Sequence, residues 1–241
     1  MTEPLARSFT KQIIIVINGA RGSGKNTVAN VLGAYWGFTS VAFADKLKAV
    51  AMDLLPFEAD QLYGASERRD EPLLDYPFSG HCTRCHRLGF LDTVAGASAE
   101  DYDRKAWYCS WCDRYYPRFL TARLVCESLG EEWGRTLNEN IWVKATMKEI
   151  LSSPGDQFVL TDVRYHREVT AIRDAGGYLI RLKRRWNEPR NGHRSDTEML
   201  EMPDSIFDLV LPDAKSVDDH IPALRSFVLP LRQAAGLRGA T

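Results

Sequence analysis

Ile13-Ile14-Ile15-Val16-Ile17-Asn18-Gly19-Ala20-Arg21-Gly22-Ser23-Gly24-Lys25-Asn26-Thr27 runs from an unbroken apolar stretch into a glycine-rich turn and then into a helical pattern. The apolar run reads as a buried strand. Backbone N–H groups of the turn can surround a polyphosphate, Lys25 can reach its β and γ oxygens, and the next helix points its positive end at the anion. Glycine is needed where a side chain would block that approach or where φ is positive. The bland alternative is an ordinary strand-to-helix turn, but preceding strand, spacing and following helix all agree with phosphate binding. The candidate phosphate-binding residues are Gly19, Arg21, Gly22, Ser23, Gly24, Lys25, Asn26 and Thr27. Asn26 stands where a Mg²⁺-ligating hydroxyl usually follows the lysine, so metal ligation shifts to Thr27 or to water.

Outward from that stretch, apolar runs alternate with helical stripes, the signature of a parallel sheet covered on both faces. The first helix is expected from Lys25 to about Trp36, burying Val28, Val31, Leu32 and Tyr35. Thr39–Phe43 reads as a strand. A helix from Asp45 to about Leu55 then packs through Leu47, Val50, Ala51 and Leu54, and Pro56 ends it. Helices near Thr121–Leu129, Glu139–Leu151 and Arg167–Ala175 alternate with strands at Phe158–Leu160, Tyr178–Leu182 and Phe207–Leu211. The tail after Ser216 reads as helical despite Pro222 and Pro230. Residues 11–55 and 119–241 are therefore expected to form an α/β core, with 56–118 inserted.

Inside the insertion, Cys82-Thr83-Arg84-Cys85 and Cys109-Ser110-Trp111-Cys112 form a C-x2-C-x23-C-x2-C pattern. Two such knuckles can bring four thiolates to the corners of a tetrahedron around Zn²⁺. Such a site is closed and structural, a staple for an insert too small to build its own core. His81 and His86 read as solvated neighbours, and Cys126 as a small core residue. Trp107, Tyr108, Trp111, Tyr115 and Tyr116 are expected to pack around the knuckles. Stacking on nucleic-acid bases is disfavoured, because a formal net charge of −1 gives a polyanion little attraction.

Asp45 follows a strand at the edge where open α/β sheets bind ligands, and either orients an acceptor group or caps its helix. Asp162 ends an apolar strand, where a carboxylate can hold Mg²⁺ through water. Alternation puts Arg164 on the same side as Asp162. Arg123 and Arg135 frame the helix containing Gly130, and Arg181, Arg184, Arg185, Arg190 and Arg194 crowd a polar segment. Forked guanidiniums suit the charge of a migrating phosphoryl group.

The 241 residues suffice for one α/β domain with a modest insertion. Residues 1–11 lack an apolar signal core and no run is long enough to span a bilayer, so a cytoplasmic protein without disulfides is expected.

In chain order, Gly19…Gly24-Lys25-Asn26-Thr27, Phe43-Ala44-Asp45-Lys46-Leu47-Lys48, Arg123 with Gly130 and Arg135, Asn140-Ile141-Trp142-Val143, Thr161-Asp162-Val163-Arg164 with Glu168, and His193 with Ser195-Asp196 form an ordered set. This set resembles the bacteriophage-type deoxynucleoside monophosphate kinases, of the P-loop nucleoside-monophosphate-kinase fold, over roughly residues 11–55 and 120–213. The resemblance implies a five-stranded parallel core and transfer of the ATP γ-phosphate, with Mg²⁺, to a deoxynucleoside monophosphate (an EC 2.7.4 type activity). It implies catalytic roles for Lys25, Asp45, Asp162 and Arg164, with Mg²⁺ directed by Thr27 and Asp162. It implies acceptor binding by Asp45, Lys48, Arg123, Arg135, Trp142 and Arg164. A lid at about 184–202 would carry Arg184, Arg185, Arg190 and Arg194. Asn26 where Asp is frequent, and Asp196 where Glu is commoner, depart from the family pattern. ATP and a monophosphate are the expected partners, with no membrane or nucleic acid, a homodimer left open, and the host cytoplasm as compartment for a viral chain. The competing readings are another small acceptor, such as dephospho-coenzyme A, and an ATP-switched zinc-ribbon nucleic-acid-binding module.

Overall fold

The apolar runs and helical stripes of the sequence form strands and helices in the following order. The computed structural model describes residues 12–20, 22–64, 66–91, 106–163, 165–183 and 201–237, with the backbone alone for Ser66, Phe90, Leu91, Glu131 and Arg135. Strand β1 (Ile13–Asn18) leads to α1 (Lys25–Trp36), β2 (Thr39–Val41), α2 (Phe43–Leu54) and α3 (Ala59–Tyr63). A 3-10 turn (Ser66–Asp70) precedes β3 (Pro72–Pro77), β4 (Phe90–Leu91), β5 (Trp107–Cys109), β6 (Arg114–Tyr116) and β7 (Phe119–Thr121). Next come α4 (Ala122–Glu127), a π-helical turn (Ser128–Trp133), α5 (Gly134–Leu137) and α6 (Ile141–Ser152). The chain then forms β8 (Gln157–Leu160), α7 (His166–Asp174), β9 (Tyr178–Leu182), β10 (Leu209–Leu211) and α8 (Ile221–Ala234). The described residues fall into two compact units, one within Met1–Phe43 and Val143–Thr241, the other within Ala44–Trp142.

The first unit is α/β, with a five-stranded sheet in the order β10-β9-β1-β8-β2. All its pairings are parallel. Every residue of central β1 is buried. The pleat sends Ile13, Ile15 and Ile17 to one face, against Val28 and Leu32 of α1 and Leu224 and Val228 of α8. Ile14 and Val16 go to the other, against Val143, Met147 and Ile150 of α6 and Val169 and Ile172 of α7. The chain leaves β1 toward β2, and later passes from β8 across β1 to β9. The carboxyl end of β1 is therefore where the strand order turns, the place open α/β sheets leave a crevice.

Several local expectations are corrected. Tyr35 is exposed, and Trp36, four residues beyond Leu32, takes the inward place. Strand β2 stops at Val41 and α2 begins at Phe43, because the Phe43 N–H donates to Asp162 Oδ1 at 3.1 Å. Asp45 thus lies in the first turn of α2, and Leu54, its last residue, faces solvent. Phe207 precedes β10 and lies outside the strand. The tail is helical, with Pro222 in the first turn of α8, where a missing N–H removes no helical bond, and Pro230 within it.

In the second unit β3 pairs antiparallel with β7, and β4, β5 and β6 form a three-stranded antiparallel sheet. Two small cores hold it. One joins Phe78, Cys82, Cys109 and Tyr116 to Leu124; the other joins Ala51, Phe57, Leu62 and Ala122. Thr121 caps α4 by accepting from the Leu124 N–H at 3.2 Å. Among the described residues no helix is long and apolar enough to cross a membrane.

Arg232 of α8 is buried, and its guanidinium donates to Trp36 O and Gln157 Oε1, closing the carboxyl end of α1 onto β8. Arg232→Met keeps the bulk but removes the donor to Gln157 Oε1 and one of two donors to Trp36 O, which keeps Gln157 Nε2 at 2.9 Å. It should lower unfolding free energy by about 1–3 kcal/mol, read as a lower denaturation midpoint in urea.

Candidate phosphate-binding loop and cysteine centre

Gly22 and Gly24 adopt φ of 76° and 95°, left-handed values that turn the chain at the end of β1 into the mouth of α1. A Cβ on Gly19 would lie 2.7 Å from Ser23 Oγ and 2.8 Å from Leu182 O, so this position admits glycine alone. Lys25 Nζ donates to Gly19 O at 2.6 Å and Ala20 O at 2.8 Å, bracing the loop from within. The Asn26 and Thr27 side chains are exposed at the start of α1. Arg21 lies outside the described residues, as do Arg164, the lid arginines Arg184, Arg185, Arg190 and Arg194, and the His193-Ser195-Asp196 motif.

Two polar groups at this edge have no hydrogen-bond partner among the described residues. Ser23 Oγ is buried without a hydrogen bond, and so are both amide atoms of Asn18. The β1–β8 register, continued past Val16↔Leu160, brings Asn18 level with Asp162, and β9 sets Arg181 beside it. No motif marks Asn18; its one signal is a polar residue ending an otherwise apolar strand. Ser23 and Thr27 hydroxyls and the Asp162 carboxylate are hard oxygen donors of the kind Mg²⁺ takes, and the unpaired Ser23 Oγ fits that use. A cavity of about 200 Å³ opens beside the loop, lined by Ser23, Thr27, Lys183, Asp213, Lys215 and His220 among others. Burial pushes His220 down, against the opposing charges of Asp219 and Asp213, so the imidazole facing this cavity is neutral at neutral pH.

The second unit holds five of the acceptor candidates. Lys48 Nζ lies 3.9 Å from Asp45 Oδ1 and 4.3 Å from the centre of the Tyr63 ring. Burial, then the charges of Asp45 and Cys126, push the Tyr63 hydroxyl up. Arg123 binds Asp70 with both arms, at 2.6 Å to Oδ1 and 3.0 Å to Oδ2. Trp142 donates from Nε1 to Leu129 O at 3.3 Å, which ties α6 to the π-helical turn. The Arg135 side chain lies outside the described residues.

Cys82, Cys85, Cys109 and Cys112 place their Sγ atoms within 4.8 Å of one another. The Cys85–Cys109 separation is 3.6 Å. A Zn–S bond of about 2.3 Å in a tetrahedron requires sulfurs about 3.8 Å apart, so the four are set for Zn²⁺. Burial pushes Cys82 up, yet hydrogen bonds from Tyr116 and from the backbone at Cys85 and Arg84 hold its thiol down at about 6. Burial, followed by its cysteine neighbours, pushes Cys112 up to about 12. Tyr116 is buried and stacks on Phe78 at 5.0 Å. Trp111 is exposed under the Arg87 guanidinium, 3.6 Å from its ring centre. The expected packing of aromatics thus holds for Tyr116 and not for Trp111. His81 and His86 are exposed, as expected. Cys126 is partly buried against the core of Ala51, Phe57, Leu62 and Ala122, and burial pushes its thiol up to about 11.

No family model matches the sequence. The chain is 27% identical over 216 residues to a protein of Acanthamoeba polyphaga mimivirus named "Putative deoxynucleotide monophosphate kinase", spanning 90% of this chain and 96% of that one. Among solved structures, TT1252 from Thermus thermophilus is 21% identical, with 95% of this chain and 99% of that chain covered, at a TM-score of 0.43.

Gly19→Ala should abolish nucleotide binding in calorimetry while the far-ultraviolet circular dichroism stays that of the wild type. For the cysteine centre the sign follows from proton competition. Thiols must lose protons to bind metal, and the Cys82 thiol sits at about 6. Chelator should therefore strip Zn²⁺ faster at roughly pH 5 than at roughly pH 8, measured by released metal.

Proposed function

We propose that this protein transfers the γ-phosphoryl group of ATP to a deoxynucleoside monophosphate. The observation that carries the reading is the glycine loop at the carboxyl end of β1, with Lys25 at the mouth of α1. The name of the mimivirus relative supports the acceptor class, and the ordered motifs from Asp45 to Asp162 support it independently.

In this reading the loop N–H groups and the Lys25 ammonium hold the β and γ phosphates of ATP. Anionic oxygens are stronger acceptors for the Lys25 ammonium than the Gly19 and Ala20 carbonyls to which it donates. The cavity lined by Lys183, Asp213 and His220 takes the nucleoside end of ATP. Thr27, Ser23 and Asp162 would hold Mg²⁺, which would supply charge neutralisation for the phosphates. A phosphate oxygen of the acceptor attacks the γ phosphorus, the bond to the β–γ bridging oxygen breaks, and ADP leaves with that electron pair. Asp45, Lys48 and Arg123 serve the acceptor, as do Arg135, Arg164 and Trp142. The arginines of 184–202 cover the migrating group, excluding water. Positioning and charge stabilisation supply the rate. Four thiolates on one zinc leave no open position, so that metal is structural.

A coupled ADP-release assay over deoxynucleoside monophosphates, ribonucleoside monophosphates and dephospho-coenzyme A tests the reading. ADP release should rise with at least one deoxynucleoside monophosphate, and a flat response across the panel would refute it. Lys25→Ala should lower turnover on the order of 10²–10³-fold, while zinc content stays unchanged. A parallel loss of zinc would mean that this substitution acts on folding.

A further inference from the structure

A cleft of about 490 Å³ lies wholly within the unit of Ala44–Trp142. Its size suits a mononucleotide-scale ligand. One wall is the zinc hairpin, Arg114 to Pro117; the others are the 3-10 turn with Glu67, Asp70 and Glu71, and helix α4 with Arg123 and Glu127. The hairpin is joined to α4 by two separate contacts, and to the first cysteine knuckle by a third. Leu124 packs into the core that contains Cys82 and Cys109. Arg114, opposite Cys109 in the β5–β6 register, reaches Glu127 at 3.0 Å and Glu132 at 3.1 Å. Tyr116, on the same strand, exchanges a hydrogen bond with Cys82 Sγ at 3.2 Å. The helix so held carries Arg123, whose fork closes on Asp70 across the cleft.

We propose that this cleft receives the base of the acceptor nucleotide, and that Zn²⁺ controls its shape by fixing the hairpin against α4. This deepens the phosphotransfer reading and rests on it. The lining carries four carboxylates, Glu67, Asp70, Glu71 and Glu127, against the guanidiniums of Arg114 and Arg123. This acidic excess disfavours a phosphate and offers acceptors to N–H groups, so the base end enters and bases with an exocyclic amino group are favoured. The half-exposed Tyr115 ring offers an aromatic surface beside them. Losing the metal frees the hairpin, and with it the wall and the register of Arg123 against Asp70. The parallel sheet has its own core, and ATP binding there is independent of the zinc.

The test compares full-length protein that is zinc-loaded, chelator-stripped and reloaded. Hydrogen exchange is followed with and without dAMP, dCMP, dGMP and dTMP, alongside ATP calorimetry. The expected result is ligand protection at residues 67–72 and 114–127, weakest for dTMP. Stripping should raise exchange at 119–127 and raise KM for the acceptor about tenfold, with ATP affinity unchanged and reloading restorative. Arg114→Gln should keep its zinc and reproduce part of the KM rise. Acceptor KM and exchange at 119–127 that ignore the metal would overturn the proposal. So would an equal loss of ATP affinity, the mark of a metal that merely keeps the chain folded, and so would strongest protection by dTMP. Turnover without protection of 67–72 and 114–127 would keep the phosphotransfer reading and overturn the site. Protection without turnover of any monophosphate would keep the site and refute the phosphotransfer reading.

Discussion

Strand β1 has β8 hydrogen-bonded on one side and β9 on the other, and helices seal both of its faces. Its five apolar side chains, each worth about 1.5–3 kcal/mol when fully buried, hold its carboxyl end in one place. That rigidity is what the loop requires. Gly22 and Gly24 enter left-handed conformations without the 1–2 kcal/mol or so that a Cβ would add to each. The N–H groups at the mouth of α1 therefore converge on a fixed point. A loop on a strand with a single buried face would waver, and convergent donors that waver lose most of their value for a small anion.

The same strand explains how much could be read from the sequence. Five consecutive β-branched residues have few alternatives to a doubly buried strand, and Gly24-Lys25 after them has few alternatives to a helix start. The length of α1, the position of β9 and the four-cysteine cluster were legible for similar reasons: a stripe, a run or a spacing decides each one locally. What was not legible depended on distant partners. The start of α2 is set by Asp162, more than a hundred residues away in sequence, so Asp45 moved from a capping position into the helix. The choice between Tyr35 and Trp36 turned on one residue of helical phase. Arg123 stood out in the sequence only as a cation, and its clasp on Asp70 comes from the fold of the insertion.

The unit of Ala44–Trp142 shows why a metal belongs there. Its two cores are small, four or five fully buried residues each, and β4, β5 and β6 are two or three residues long. Strands that short bury too little to hold a fixed shape in water. A tetrathiolate centre would instead supply cohesion that does not scale with buried area. Cys82 and Cys109 belong to the core that contains Leu124, so a metal held there would act on the same residues as the side-chain packing. The hairpin and α4 share that core.

The phosphate loop carries the opposite energetic sign. Ser23 Oγ and the Asn18 amide are withdrawn from water without a partner, which costs about 1–3 kcal/mol for each group. Lys25 Nζ donates to the Gly19 and Ala20 carbonyls and so braces the loop from inside. The packing of β1 and its helices is strong enough to hold the two buried polar groups in place. In the phosphotransfer reading, an anion with a hydrated cation gives the buried amide and hydroxyl something to bond. It offsets their cost only where its oxygens reach those atoms, so the polar groups buried at the end of β1 would favour one ligand geometry over others.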